Sequence, residues 1–383
     1  MKRIGELERA YVLEVLDEGF RTSSGSMMTK RLESAFAQLV GTKYAITFVN
    51  GTATLHAALV AAGVGPGDEV IVPPLTAAMT TLAVLHAGAT PVYADVHPEY
   101  WTLDPAAVAA AITSRTKAII PVAIYGLAPQ MDDLMSLADA HGIFVLEDDA
   151  QCVGGIYRGR PVGSIGHAAS FSFQSSKHLT SGEGGMIVTD DPGLAERVRR
   201  FNSLGYATVS AGAGKGKIGK DIIQDPEYAR HSTLGFNYRM PELCAAVLLA
   251  QVERSEAIVN CSRETAAMYE EARGDCQWLI PQAAPPDVTH AYWTWAVRID
   301  PQASVSWHDF RNKFRVLTGE GIYACWRLTY NEPVMADRAH DFVCPVAESL
   351  QPTILQFKTN YLVSDERDHV VRGLQQTIAH FDG

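Results

Sequence analysis

The chain has 383 residues, 47% of them apolar and 20% charged, which is the composition of a globular protein of about two or three domains. Acidic residues outnumber basic ones, 43 against 32, for a formal charge of −11, which argues against nucleic acid or an anionic membrane surface as the main partner. No run approaches the roughly 18 apolar residues that span a bilayer, and the start MKRIGELERAYVLEVLDEGF lacks the apolar core of a signal peptide. We therefore expect a cytoplasmic protein.

The cysteines and histidines show none of the spacings typical of metal or redox sites. Six cysteines, spread from Cys152 to Cys344, contain no C-x-x-C pair, as expected for reduced thiols in a reducing compartment. The twelve histidines include no H-E-x-x-H motif, and no G-x-S-x-G elbow occurs. The sequence therefore supports neither a metal site nor a serine nucleophile.

Between residue 44 and about 190, short β-rich runs alternate with helical segments. Each predicted strand is bounded by Gly, Pro or Asp, and each intervening segment is long enough for a crossover helix. The predicted strands are YAITFV, EVIVPP, PVYADV, KAIIPVAIYG and IFVLEDDA, followed by AASFSF and GGMIVTD and then by the helix PGLAERVRRFNSLG. This repetition predicts an α/β fold with a mainly parallel sheet covered by helices.

A long helical region, PELCAAVLLAQVERSEAIVNCSRETAAMYEEA, leads into a second unit with strands such as AYWTWAVRID. We predict a large domain over residues 1–255, including an N-terminal helix, and a smaller C-terminal α/β domain over residues 256–383.

The stretch AGAGKGKIGK, residues 211–220, has the glycine spacing of a nucleotide-binding loop. A helix precedes it where a strand is required, and Asp221 stands where a phosphate loop needs Ser or Thr. We interpret it as a Gly/Lys loop whose Lys215, Lys217 and Lys220 could reach the phosphates of a substrate.

Three polar elements follow strands of the predicted sheet. Lys177 lies among small residues in FSFQSSKHLTSGEGG, where it is either a solvated charge or an amine kept for chemistry. The strand IFVLEDDA ends in Glu147, Asp148 and Asp149, at the edge where parallel sheets bind ligands. The turn before TATLHAAL opens a helix at Thr52 and Ala53, which is either an anion site or simply a capped helix.

An amine, a carboxylate and a phosphate cradle at one sheet edge are the three groups that pyridoxal phosphate requires. The lysine forms a Schiff base, the acid pairs with the pyridine nitrogen, and the helix terminus binds the phosphate.

At these residues the chain resembles the DegT/StrS group of pyridoxal-phosphate aminotransferases, which have fold type I and make amino sugars. The likeness covers nearly the whole length and rests on ordered segments: GTATLHAAL, GPGDEVIVPPLT, PVYADV, IIPVAIYG, VLEDDAQ, SFSFQSSKHLTSGEGG, GFNYRMPELCAAVLLAQ and FKTNY.

The resemblance implies a set of site residues. Lys177 would be the Schiff-base lysine and Asp148 the partner of the pyridine nitrogen, while Gln151 would lie against the cofactor. The phosphate would be held by Thr52, Ala53 and Ser172, and by Asn237 reaching across a homodimer interface. Arg239 is a candidate for the carboxylate of the amino donor, whereas Tyr238 and Met240 are interpreted as core residues.

Two departures concern the substrate. The family usually has an aromatic residue that stacks on the cofactor ring soon after the Pro-x-x-Thr corner, but PPLTAAMTT has Ala77 there. The segment 206–232 also looks longer than usual.

The implied activity is transfer of an amino group from an amino acid, glutamate in the first instance, to a nucleotide-linked keto-sugar by a ping-pong mechanism. An alternative acceptor is a carbocyclic ketone of the inosose type, with glutamine as donor. A pyridoxal-phosphate sugar dehydratase has histidine in place of the lysine, so Lys177 argues against it. A non-catalytic homologue is disfavoured because Lys177, Asp148 and the phosphate elements are all retained.

Overall fold

The computed structural model of the chain describes residues 2–20, 27–212, 219–338 and 342–382. Lys215 and Lys217 lie outside this range, as does the side chain of Lys220. The strands are β1 Tyr44–Phe48, β2 Glu69–Val72, β3 Thr90–Tyr93, β4 Thr116–Ile119, β5 Phe144–Asp148, β6 Ile156–Tyr157, β7 Arg160–Pro161, β8 Ala168–Ser172, β9 Gly185–Thr189, β10 Leu279–Pro281, β11 Val288–Thr289, β12 Thr294–Ile299, β13 Tyr323–Ala324 and β14 Ile354–Lys358.

The helices alternate with these strands in the first half of the chain. They are α1 Glu6–Asp17, α2 Met28–Val40, α3 Gly51–Ala61, α4 Met79–His86, α5 Pro105–Ala111, α6 Met131–His141, α7 Pro192–Asn202, α8 Lys220–Gln224, α9 Glu242–Glu253, α10 Ser255–Arg273, α11 Trp307–Thr318, α12 Pro345–Leu350 and α13 Ser364–Asp382.

Local signals account for several helix starts. The carboxylates of Asp104 and Asp191 precede α5 and α7, and each accepts a hydrogen bond from a backbone N–H in the first turn, at 2.9 and 2.7 Å. Each is followed by a proline at the first helical position, where the missing N–H costs nothing.

The main sheet has seven strands in the order β1-β9-β8-β5-β4-β2-β3. Strand β9 is antiparallel to both of its neighbours, and the other pairs are parallel. Alternate side chains of each strand point to opposite faces, so that Ile46 packs towards α3 and α7 while Ala45 packs towards α2 and α9. The expected mainly parallel sheet covered by helices is confirmed.

A second sheet, β10-β12-β14-β13, is wholly antiparallel and packs with α10, α11 and α13. The predicted single helical region is two helices, because the backbone leaves helical geometry at Arg254, with φ −111° and ψ 11°. This break lies at the proposed domain boundary, but β11 pairs with β6 and Tyr330 packs on Tyr93 in the main core. The division at residue 255 therefore stays a prediction.

At the start of the segment 206–232, Val209 is buried and Ala211 packs against the main core. Tyr206 and His231 form an isolated bridge, and the N–H of Ala207 donates to the carbonyl oxygen of Arg230. No helix in the described part of the chain is long and apolar enough to cross a membrane.

Candidate active site

Strands β1, β5 and β8 run in the same direction and end at the same edge of the main sheet. Strand β1 leads into α3, β5 ends at Asp148, and β8 ends at Ser172, five residues before Lys177. The three elements that the sequence analysis selected are therefore brought together, as expected for the carboxyl ends of parallel strands.

Asp148 is a buried carboxylate with defined partners. Its Oδ2 accepts a hydrogen bond of 2.8 Å from the hydroxyl of Thr80, and its Oδ1 accepts one of 3.3 Å from the N–H of Ala150. Burial raises the pKa of Asp148, while the Thr80 hydroxyl, the Ala150 N–H and the charge of Lys177 oppose the rise. Thr80 was missed by sequence reasoning, because nothing local links it to a strand 68 residues away.

The two acids beside Asp148 differ in their hydrogen-bond partners. Glu147 accepts hydrogen bonds from the N–H groups of Gly163, Ile165 and Gly166, at 2.6–3.1 Å. Asp149 is buried, and its Oδ2 has no hydrogen-bond partner among the described residues. Burial, with the nearby charges of Glu147 and Asp148, raises the pKa of Asp149 well above its usual value and favours its protonated form.

Lys177 is half-buried in the loop after β8. Its Nζ lies 4.6 Å from the ring centroid of Trp293. Burial lowers the pKa of the amine from 10.5 to about 8, against the opposing effect of the Asp148 carboxylate. A neutral fraction of this amine is thus present near physiological pH, as a nucleophile or base requires.

The start of α3 lies directly against β8. A Cβ on Gly51 would stand 2.9 Å from the Cβ of Ser172, so only glycine permits this approach. Thr52, Ala53 and Ser172 are therefore close together at a helix N-terminus. The N–H of Ala53 donates to Oδ1 of Asn50 at 2.8 Å. Asn50 is thus an N-cap that the sequence analysis overlooked, although Asn before Gly-Thr is a recognisable signal.

Gln151 is buried, and its side-chain oxygen accepts a 2.6 Å hydrogen bond from the N–H of Tyr125. Tyr125 has a left-handed backbone, with φ +62°. The observed bond fastens the segment after β4 to the segment after β5 and so gives Gln151 a structural role at the same edge.

Asn237 and Arg239 are exposed, whereas Met240 is buried and Tyr238 packs partly buried against the main core. The core interpretation of Tyr238 and Met240 is confirmed. The carbonyl oxygen of Tyr238 accepts a 2.8 Å hydrogen bond from the N–H of Val49, which places this segment next to the start of α3 in the same chain.

Ala77 is half-exposed. A row of nearly parallel aromatic rings lies elsewhere in the site: Trp293 and Trp326 are 6.0 Å apart at 12°, and Trp326 and Tyr125 are 6.1 Å apart at 10°. Trp293 and Trp326 also line a cleft of about 1150 Å³, together with Lys2, Arg3, Ile4, Ser175, Ser176, Thr294, Glu320, Gly321, Tyr323, Ala324, Cys325, Gln356, Lys358, Asn360, Leu362, Val363 and Glu366. Neither tryptophan was predicted from the sequence to be a site residue.

These residues fit pyridoxal phosphate. One edge of the sheet holds an amine with a lowered pKa, a buried carboxylate and a helix N-terminus that begins at Gly51. In their chemistry these groups match the aldehyde, the ring nitrogen and the phosphate of the cofactor, in that order. Fold and site together define the class as a fold type I pyridoxal-phosphate enzyme.

The model of the DegT/DnrJ/EryC1/StrS aminotransferase family matches residues 2–375. The chain belongs to this family and is a pyridoxal-phosphate-dependent aminotransferase, as the sequence analysis expected. Among curated proteins it is similar to a GDP-perosamine synthase of Caulobacter vibrioides, with 40% identity over 300 residues, 78% of this chain and 76% of that protein.

Solved structures give the same class. An aminotransferase from Psychrobacter cryohalolentis superposes with a TM-score of 0.89 at 29% identity, over 99% of this chain and 98% of the other. DesV of S. venezuelae, solved in complex with a ketimine intermediate, has a TM-score of 0.84 at 31% identity, over 97% of this chain and 94% of the other.

Proposed function

We propose that this aminotransferase moves an amino group from glutamate to the carbonyl carbon of a nucleotide-linked keto-sugar in two half-reactions. The choice of acceptor rests on the 40% identity to a protein named GDP-perosamine synthase. The product in that name is an amino sugar linked to GDP, so the matching acceptor is a GDP-linked sugar with a ketone at the carbon to be aminated.

Lys177 and Asp148 perform the proton chemistry in this proposal. Pyridoxal phosphate, when bound, supplies a carbonyl that takes up the amino group and a protonated ring that accepts the electron pair left by the departing α-proton. The Nζ of Lys177 takes that proton from the donor's α-carbon and later delivers a proton to the former carbonyl carbon of the acceptor. The Asp148 carboxylate would pair with the ring nitrogen and favour its protonated form.

The remaining residues bind and orient. Thr80 fixes the Asp148 carboxylate through its hydroxyl. Thr52, Ala53 and Ser172 bind the phosphate, and Gln151 holds the segment beside the ring. Asn237 completes the phosphate site of a second subunit in a homodimer, and Arg239 binds the donor's carboxylate.

The experiment is a screen of donors and acceptors that follows cofactor absorbance in the purified protein. Glutamate should bleach the visible band, and a GDP-linked keto-sugar should restore it. Recovery with an inosose after reaction with glutamine, and not with any nucleotide-linked keto-sugar, would instead select the carbocyclic acceptor.

A further inference from the structure

The loop that carries Lys177 is held through three successive backbone carbonyl groups. The Nη2 of Arg3 donates to the carbonyl oxygens of Ser175, at 2.8 Å, and of Lys177, at 2.6 Å. The indole N–H of Trp293 donates to the carbonyl oxygen of Ser176 between them, at 2.8 Å. Two segments far away in sequence thus fix the backbone from which the amine projects.

The backbone of Arg3 is itself anchored. Its carbonyl oxygen accepts hydrogen bonds from Nε2 of Gln251, at 2.8 Å, and from Nη2 of Arg254, at 3.1 Å. Both donors also bind Oε1 of Glu8, which is buried, while Oε2 of Glu8 accepts from the N–H of Gly5 at 2.8 Å. The guanidinium of Arg3 therefore reaches the loop from a fixed base.

The position of the Lys177 amine depends on this arrangement. Burial lowers the pKa of the Arg3 guanidinium, but arginine remains charged in proteins, and hydrogen bonds from a partly buried cation are stronger than neutral ones. Trp293 both holds the loop and lies under the amine. Loss of the Arg3 bonds would leave one of the three carbonyl contacts to restrain the loop.

We infer that Arg3 is a positioning residue, which fixes the 174–177 loop so that the Lys177 amine is held over the Trp293 ring. The inference rests on the proposed role of Lys177. Because Arg3 also lines the cleft, direct binding of a substrate anion is the competing explanation that the test has to separate.

The test measures backbone hydrogen exchange of residues 174–182 in the full chain, with and without pyridoxal phosphate, in Arg3→Ala, Arg3→Lys and Arg9→Ala. Arg9 is an exposed arginine of α1 for which no side-chain contact is described, so Arg9→Ala is the matched control. Arg3→Ala should speed exchange in this segment by about tenfold or more, as expected when two charge-assisted hydrogen bonds are lost. Arg3→Lys should be intermediate, and Arg9→Ala should be unchanged.

Kinetics complete the test. A positioning role predicts that Arg3→Ala lowers kcat while the KM values of donor and acceptor change little. Unchanged exchange together with a raised acceptor KM would show that Arg3 binds substrate directly and would overturn the inference. The exchange measurement uses no substrate, so its result is independent of which ketone is aminated. If Arg3→Ala does not fold, the comparison of Arg3→Lys with Arg9→Ala gives the same decision.

Discussion

The hydroxyl of Thr80 lies 2.8 Å from Oδ2 of Asp148, and both residues are buried. Thr80→Val keeps the shape and removes this donor, whereas Thr80→Ser keeps the donor. A hydrogen bond to a charged group contributes about 1.5–3 kcal/mol, so we expect Thr80→Val to lower kcat by roughly tenfold or more and Thr80→Ser to retain most of it.

Because the lost bond opposed the rise in the Asp148 pKa, the acid limb of the pH–rate profile should move to higher pH in Thr80→Val. Equal effects of Val and Ser would contradict this account.

Lys177→Ala should keep the fold and lose turnover by roughly 10²–10⁴-fold, the usual contribution of a positioned proton carrier. Borohydride should attach the cofactor to Lys177 in the unmodified protein, as judged by peptide mass. Lys43 is exposed and its side chain makes no described contact, so Lys43→Ala is the control and should retain full activity. A cofactor adduct on another lysine would refute the assignment.

Covalent capture of pyridoxal phosphate should depend on pH through the Lys177 amine. Only the neutral amine is nucleophilic, and burial lowers its pKa to about 8. The rate at which cofactor-free protein forms a borohydride-stable adduct should therefore rise with pH through about 8 and level off above it. Since the Asp148 carboxylate opposes the lowering, Asp148→Asn should move the midpoint to lower pH. A midpoint near 10.5, the ordinary lysine value, would show a solvated amine.

Asp148→Asn and Asp149→Asn should differ sharply in activity. An amide at 148 cannot hold a charged ring nitrogen, so we expect kcat to fall by roughly 10²–10³-fold, the range for loss of one preorganised electrostatic partner. Asp149 has no such role in the proposal, and Asp149→Asn should stay within a few-fold of the original activity.

Stability gives a second measure for Asp149. Its folded-state pKa is raised by burial, so the folded protein retains a proton that the unfolded chain releases, and its contribution to stability is lost as pH rises above the unfolded pKa. Asp149→Asn removes this loss, so its melting temperature relative to the original protein should rise as the pH increases above about 3.9, the ordinary pKa of aspartate. A melting difference independent of pH would mean that Asp149 is ionised in the fold.

Subunit complementation tests the assembly. If Asn237 completes the phosphate site of a second subunit, a mixture of the inactive chains Lys177→Ala and Asn237→Asp should regain activity, because one site of the mixed dimer has both intact residues. The aspartate repels phosphate, so its own homodimer should bind cofactor poorly. The hydrogen bond between Val49 and Tyr238 puts this segment near α3 of its own chain. Confirmed subunit exchange without activity would therefore indicate a site built within one chain.

Local sequence signals predicted much of the fold. The alternation of β-rich and helical runs predicted β1–β5, β8 and β9 with their intervening helices, because side-chain period and the bounding Gly, Pro and Asp residues are properties of short segments. The positions of Asp148 after an apolar strand and of Lys177 in a loop of small residues were visible for the same reason. Because parallel strands end at the same edge of a sheet, these residues were expected to lie close together.

The tertiary structure alone decided the contacts that fix those groups. Thr80 reaches Asp148 across 68 residues, Trp293 reaches Ser176 across 117, and Arg3 reaches Lys177 across 174. The periodicity of a short sequence segment does not predict such pairs, because they depend on how separate segments pack. The helix break at Arg254 and the pairing of β11 with β6 could not be predicted from the sequence for the same reason. The sequence by itself determined which side chains could carry the chemistry, whereas packing of distant segments decided their pKa values, orientation and restraint, since each depends on neighbours supplied by the whole fold.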